Sequence, residues 1–363
     1  MRTLSTLWHT IRDFLYPFLE EDLDPLTEKQ RHFIAVCEMA ELDKHMGPYR
    51  GSWLGRKKIA RLDMAKAFVA KAIYNSPTTV MLIETLKGNR NLRRLCGWEQ
   101  ESEIPSESTF SRAFSEFAQG DLGAVVHEAM IRSRYGDKLA GHISRDSTAI
   151  RGREKATKKA RKNTRKRKRG RPRKGERREP MPPKRLAVQP QRSLRENLND
   201  LPTTCDWGTK KNSQGKKATW KGYKLHLDCV DGDIPVSAIL TSASLHDSQA
   251  AIPLAQMSAG RVTNLYDLMD AAYDAGEIHD FSRRLSHVPI IDPNPRNGPA
   301  MRPLDPAIKK RYNERSAAER VNSMLKDHYG GRHVRVRGDL KVKLHLMFGV
   351  IVIAATQILR LLE

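Results

Sequence analysis

Three acidic residues and one polar stripe carry the chemistry this sequence could perform. Asp146 stands in the middle of a run from His142 to Ile150 that reads as a strand. Asp270 ends the run that starts at Leu265, just before a turn. Glu319 lies in the stretch Tyr312–Lys326. At about 100° per residue that stretch reads as a helix, with Tyr312, Arg315, Glu319 and Lys326 within roughly 60° of one another. The stripe is about 20 Å long. Ala317, Ala318, Val321, Met324 and Leu325 take the opposite face and can pack on a core. Three carboxylates with no His or Cys nearby suit hard cations such as Mg²⁺ or Mn²⁺. Two such ions can activate a water or a 3′-hydroxyl and stabilise the leaving oxygen of an in-line phosphoryl transfer. The plainer reading of the stripe is a solvated face with an Arg315–Glu319 pair one turn apart.

The acids have competitors. Asp267 and Asp274 compete with Asp270, and Glu314 competes with Glu319. Asp267 and Asp270 sit an odd number of residues apart, so only one of them can face the site from a regular strand. Glu314 falls on the apolar side of the stripe helix. Asp206, Asp228 and Asp247 read as turn, surface and cap residues.

Positioning these groups requires a sheet. Lys221–Val230 alternates as a strand, Asp231-Gly232 signals a hairpin, and Ile234–Thr241 gives the partner strand. A helix from Asp247 to Met257, a strand from Val262 to Asp270, a helix from Asp274 to Leu285 and a strand from Val288 to Asp292 come next. A hairpin followed by alternating helices and strands implies a mixed sheet covered by helices. A central first strand and a strand after the next crossover can lie side by side, bringing Asp146 and Asp270 together.

Residues 1–138 read as all-helical. A short amphipathic helix carries Leu7, Trp8, Ile11, Leu15 and Phe18; Thr27 and Gln30 have capping-box spacing for the next. Further helices run from Arg61 to Tyr74, near Thr79–Leu86 and Asn91–Leu95, from a Ser108 cap through Phe110, Phe114 and Phe117, and from Asp121 to Arg134. Basic residues such as Arg56, Lys57, Lys58 and Arg61 suit a domain that binds DNA ends; a plain helical scaffold explains the region equally well.

The chain of 363 residues carries 65 Lys and Arg against 42 Asp and Glu, a net charge of +23. That excess points to a polyanionic partner, nucleic acid first. Much of it lies in an insert, 151–205, that is expected to be flexible without its partner, because its first part is dense in Lys, Arg and Pro and nearly free of apolar residues. Arg169-Gly170-Arg171-Pro172-Arg173 resembles a minor-groove arm, with a non-specific phosphate-binding arm the better reading. The four cysteines are too far apart for a zinc site or a disulfide framework and fit a reducing cytoplasm. No signal-type apolar core opens the chain. The apolar run Leu344–Leu359 is short for a membrane span and reads as a buried helix or strand–helix element, so no membrane partner is expected.

The spacing Y-(2)-R-(3)-E-(6)-K of Tyr312, Arg315, Glu319 and Lys326 resembles the signature of bacterial insertion-sequence DDE transposases of the group numbered four and its relatives. Asp146-Ser147-Thr148 looks like the family's first-acid strand. Lys221–His226 looks like its second strand, His246-Asp247-Ser248 like the segment after the third, and Asp270–Asp274 like the second-acid motif. The Ser108–Arg112 helix resembles the N-terminal domain. The resemblance implies an α/β, ribonuclease-H-like mixed sheet flanked by helices, preceded by an all-α N-terminal domain for end binding and dimerisation at 1–138. The catalytic domain would span 139–363, interrupted by the insert at 151–205. It further implies Asp146, Asp270 and Glu319 as ligands of two Mg²⁺ or Mn²⁺ ions, and Tyr312, Arg315 and Lys326, with the arm of Arg169, Arg171 and Arg173, on DNA. The implied reaction is cleavage at terminal inverted repeats and joining of 3′-hydroxyls to target DNA, by a homodimer or larger complex among the nucleoid of a bacterial cytoplasm. Well-known members carry a large β-rich insertion between the second Asp and the Glu; Asp270 and Glu319 are too close in this sequence for one. The rival readings are a basic nucleic-acid-binding protein without catalysis and a nuclease of the same fold that never joins strands.

Overall fold

Residues 3–46, 60–157, 183–211, 215–294 and 305–362 are described by a computed structural model. The N-terminal part is helical: α1 (Leu4–Thr10), α2 (Tyr16–Asp22), α3 (Glu28–Ala40), α4 (Arg61–Ile73), α5 (Thr79–Gly88), α6 (Arg90–Cys96), α7 (Glu107–Gln119) and α8 (Leu122–Arg134). The expected capping box opens α3: Thr27 Oγ1 accepts from the Gln30 N–H, and Gln30 Oε1 accepts from the Thr27 N–H at 2.8 Å. Two local expectations fail. A π-turn at Ile11–Leu15 separates α1 from α2 and rotates the second helix, so Phe18 is 65% exposed while Leu7 and Ile11 are buried. The N-cap of α7 is Ser106 and not Ser108; Ser106 O takes the Phe110 N–H.

The remainder runs β1 (Leu139–Arg151), α9 (Arg185–Val188), α10 (Leu194–Asp200), β2 (Asp206–Lys211), β3 (Lys217–Val230), β4 (Ile234–Ser242), α11 (Ser248–Ala259), β5 (Thr263–Met269), α12 (Gly276–Arg284), β6 (Val288–Ile291), α13 (Pro306–Asn313), α14 (Ser316–His328) and α15 (Asp339–Arg360). The sheet order is β2-β3-β1-β5-β6, with β4 paired to β3. This is the mixed, helix-flanked, ribonuclease-H-like arrangement that the sequence implies. β1 is antiparallel to β3 and parallel to β5. The register sets Arg145 opposite Met269, so Asp146 and Asp270 come next to each other where the two strands end their pairing. Gly222 is where β3 changes partners, pairing with both Arg151 and Asp206. Its φ is +150°, and a Cβ there would overlap Ile150 O and Gly152 N.

The C-terminal apolar run is a helix of the core. α15 is long and apolar enough to cross a membrane, yet 89% of its apolar window is buried among the other elements. It joins the two parts: Phe348 stacks on Phe68 of α4 at 5.7 Å, and one cluster of buried side chains includes α3, α4, α7 and α8 together with Ile143, Val230, Ile234 and α15. The change at residue 138 is therefore a change of architecture inside a continuous core. Gly349 lets α14 approach α15 closely, since a Cβ would meet Leu325 Cδ1 and Tyr329 O at 2.6 Å.

The insert differs from expectation. Residues 185–200 of the segment expected to be flexible form α9 and α10. Ser193 and Glu196 make another capping box, and Asn197 donates to Gln189 O at 3.0 Å. Composition concealed this because the apolar anchors, Leu198 and Leu201, are few. Arg169, Arg171 and Arg173 lie outside the described residues, as do Arg56, Lys57 and Lys58 and the loop containing Gly298, Pro299 and Pro303.

Candidate active site

Asp146 reaches the site from the centre of β1. Its Oδ2 accepts from Asn322 Nδ2 of α14 at 3.1 Å. Burial, opposed in part by the Ser147 N–H and Lys210 and reinforced by the nearby charge of Asp270, raises its carboxyl to about 6. Asp270 caps the short 3₁₀ turn Ala271–Tyr273, its Oδ1 accepting from the Ala272 N–H at 2.9 Å. Burial raises it too, against the Ala272 bond and Arg315. Asp267 faces the other way. It is 1% exposed and bonded to His287 Nδ1 at 3.2 Å and Asn264 Nδ2 at 3.1 Å, so of the two only Asp270 lies beside Asp146. Asp274 sits in an ion pair with His279 at 3.1 Å.

The stripe is not one helix. α13 ends at Asn313, α14 begins at Ser316, and the junction tightens to i→i+3 bonding: Arg315 N–H to Tyr312 O and Ala317 N–H to Glu314 O, each 3.0 Å. Glu314 is exposed at this step and does not pack on the core. Beyond it the apolar back behaves as expected, with Ala317, Ala318, Val321 and Leu325 buried. Val321 and Leu325 are fully buried, worth about 1.5–3 kcal/mol each. Ser144 of β1 ties down the start of α14, donating to Arg315 O and accepting from the Ala318 N–H at 3.3 Å.

Arg315 is the hub. It stands over the Tyr312 ring at 5.7 Å, faces Asp146 and Asp270, and donates from Nη2 to Glu319 Oε1 at 2.6 Å. That bond holds Glu319 outward, with its side chain 53% exposed. Lys326 lies further along. Burial lowers its ammonium, and the cations Arg332 and Lys210 lower it further. The structure thus brings together Asp146, Asp270, Arg315, Tyr312 and Lys326, and leaves Glu319 on Arg315. Among the described residues, no group of three or more His, Cys, Asp or Glu side chains could hold a metal ion as the side chains stand.

Four further neighbours were given no place in the site by the sequence reading. Asn322 lies on the stripe itself, one turn past Glu319, and being uncharged it gives no signal there. Lys210 of β2 adds a cation near both aspartates. Asp247 occupies the N-cap position of α11 without capping it and pairs instead with Lys224 Nζ at 2.8 Å. Tyr273 is buried among Asp247, Asp146 and Asp270. Asp228, expected at the surface, is fully buried and forms a two-bond ion pair with Arg145 at 2.7 Å. Two buried oxygens beside the carboxylates, Asn322 Oδ1 and Tyr273 Oη, have no hydrogen-bond partner. The two carboxylates and these two oxygens offer the oxygen donors that suit a hard divalent cation, and Glu319 would join them by a rotamer change away from Arg315.

Comparison with known proteins bears on this geometry. The family model described as transposase DDE domain matches residues 138–354. A second, described as transposase domain (DUF772), matches residues 19–116. No curated protein and no solved structure matches the chain.

Proposed function

The chain belongs to the transposase DDE domain family, and from that premise we propose that it binds the terminal inverted repeats of a mobile element, cleaves at their ends and joins the 3′-hydroxyls to target DNA. The observation that supports this reading is the half-buried Asp146–Asp270 pair that the parallel strands β1 and β5 bring side by side, with burial raising both carboxyls. Asp146, Asp270 and, once released from Arg315, Glu319 would hold the cations. Two Mg²⁺ or Mn²⁺ ions supply, when bound, activation of the attacking oxygen and stabilisation of the leaving one.

The side chains of this protein do the rest. Arg315 exchanges Glu319 for a phosphate oxygen, which its planar fork can grip through two N–H groups. Lys326 supplies a point charge further along the strand, and its lowered ammonium regains stability when an anion arrives. Tyr312 lies beside Arg315 and can stack on or bond to the strand end. Asn322 fixes one Asp146 oxygen through its Nδ2 and so orients the carboxylate toward Asp270. The basic stretch containing Arg169, Arg171 and Arg173 neutralises phosphates without sequence preference. The helical part at 1–138 would hold the DNA ends, and two copies of the chain would bring two ends together. A bacterial cytoplasm, at the nucleoid, fits this work. The signature spacing favours the group numbered four and its relatives.

The test is a plasmid carrying the element's ends, incubated with Mg²⁺ and scored for cut and joined products. Asp146→Asn, Asp270→Asn and Glu319→Gln should each abolish cleavage, by about 10³-fold or more, while end binding survives. Full cleavage by any of the three would remove that residue from the site. Cut products without joined ones would favour a nuclease. Deleting residues 158–182 should flatten the salt dependence of DNA binding; an unchanged slope means the arm does not touch phosphates.

A further inference from the structure

The break between α13 and α14 leaves a bonding problem that a residue of the sheet solves. In an unbroken helix the Ala318 N–H would go to Glu314 O, four residues back. Glu314 O instead takes the Ala317 N–H at 3.0 Å, so the Ala318 N–H needs another acceptor. Ala318 is fully buried, and water cannot serve. α14 has no cap of its own, since the side chain at its N-cap position, Arg315, makes no capping bond. Ser144 of β1 supplies the cap from outside. Its Oγ accepts the Ala318 N–H at 3.3 Å and donates to Arg315 O. Accepting from the third N–H of a helix is the ordinary task of an N-cap side chain. Ser144 performs it from a different element, 174 positions earlier in the chain.

The same strand holds the helix at a second point. Ser144 and Asp146 lie two residues apart, so they share a face of β1 at a spacing of about 7 Å. Ala318 and Asn322, which is bonded to Asp146, lie one turn apart on α14, about 6 Å. The two spacings nearly match, and the helix is docked on β1 at both points. Arg320 adds a third tie, to Asp233 of the β3–β4 turn at 2.7 Å. Its side chain is 50% exposed, and an exposed ion pair holds a helix weakly. Ser144 is 1% exposed. Losing its hydroxyl strands a buried N–H. The most direct repair returns that N–H to Glu314 O and closes the break, and Arg315 and Glu319 then turn with the helix.

We propose that Ser144 is a positioning residue of the strand-cutting site. Its hydroxyl holds open the break that places Arg315 and Glu319 at that site. This rests on the reading of the Asp146–Asp270 pair as the place of cleavage. Ser144 acts through the first turn of α14 and not on the reacting atoms.

Amide hydrogen exchange of the full chain, without metal or DNA, reads this clasp directly. Ser144→Ala should speed exchange across residues 315–319 about tenfold and leave β5 and α15 unchanged. End binding should stay within about threefold, while the single-turnover rate on plasmid ends falls about tenfold or more, because a misplaced group costs rate before affinity. Ser144→Thr restores the hydroxyl and should recover both readouts. Ser144→Cys keeps the shape with a weaker donor and acceptor, and should fall between serine and alanine even if the threonine methyl does not fit. Unchanged exchange at 315–319 in the alanine variant overturns the clasp. Faster exchange with an undiminished rate, or a rate that falls only by the unfolded fraction, overturns the positioning role. A wild-type chain that cuts no plasmid ends fails the transposase reading, and the exchange arm still judges the clasp by itself.

Discussion

Two consecutive residues of β1 place opposite charges on opposite faces of the same strand. Arg145 is 2% exposed, and its charge is matched by the bidentate Asp228, which also accepts from Ser258 Oγ at 2.7 Å. Asp146, one step along, faces Asp270 with its carboxyl raised to about 6. The first face is balanced within the chain. The second keeps its carboxyls raised by burial, with Arg315 and Lys210 nearby and, among the described residues, no carboxylate–guanidinium bond of its own. Desolvated charge is costly unless paired. A half-buried carboxylate pair without a bonded cation, beside a fully paired one, is the arrangement expected of a site rather than of a core.

The largest effect that could break this contrast is on stability. Arg145→Met strands Asp228 beside Asp267 in the core and should cost about 3–5 kcal/mol in chemical denaturation. Asp146→Asn removes a like-charge contact and should leave the melting temperature unchanged or higher. Equal destabilisation by the two variants would erase the distinction between the faces.

A second measurement sharpens it. His226, opposite Ser147 in the register, shares the balanced face and is held neutral. Burial lowers its imidazole to about 4, with its Nε2 bonded to Thr241 Oγ1 at 2.9 Å. Below its unfolded value of about 6.5 the unfolded chain takes up a proton that the folded chain refuses, so this contribution is complete above that pH and shrinks as pH falls toward 4. The loss is of order 3 kcal/mol at the acid end. His226→Gln should have a shallower acid decline between pH 6.5 and 4, and an unchanged decline would show that the ring is not kept neutral. The smallest expected effect is Asn322→Ala, about 1 kcal/mol for one lost hydrogen bond to Asp146, read from the same denaturation curves.

The sequence made the fold legible where the signal is local. The Thr27–Gln30 box, the Asp231-Gly232 hairpin and the alternation through β3 depend on neighbours in the chain. It also brought Asp146 and Asp270 together, since a crossover after a hairpin leaves few arrangements. Long-range pairing was hidden: nothing near Asp228 announces that register will set it against Arg145. The break between α13 and α14 was hidden too, because no Gly or Pro marks it. Asn322 and Lys210 escaped because carboxylates dominate the sequence signal, while the surroundings of the site are built from other chemistry.

α15 has a consequence for timing. It is made after every other described element, yet its side chains fill the core shared by the N-terminal helices and the sheet. A nascent chain lacking it leaves the packing of Phe68, Ile143, Ile234 and Val236 open to solvent. The N-terminal helices and the sheet therefore do not complete their shared core without it, unlike a string of independent domains.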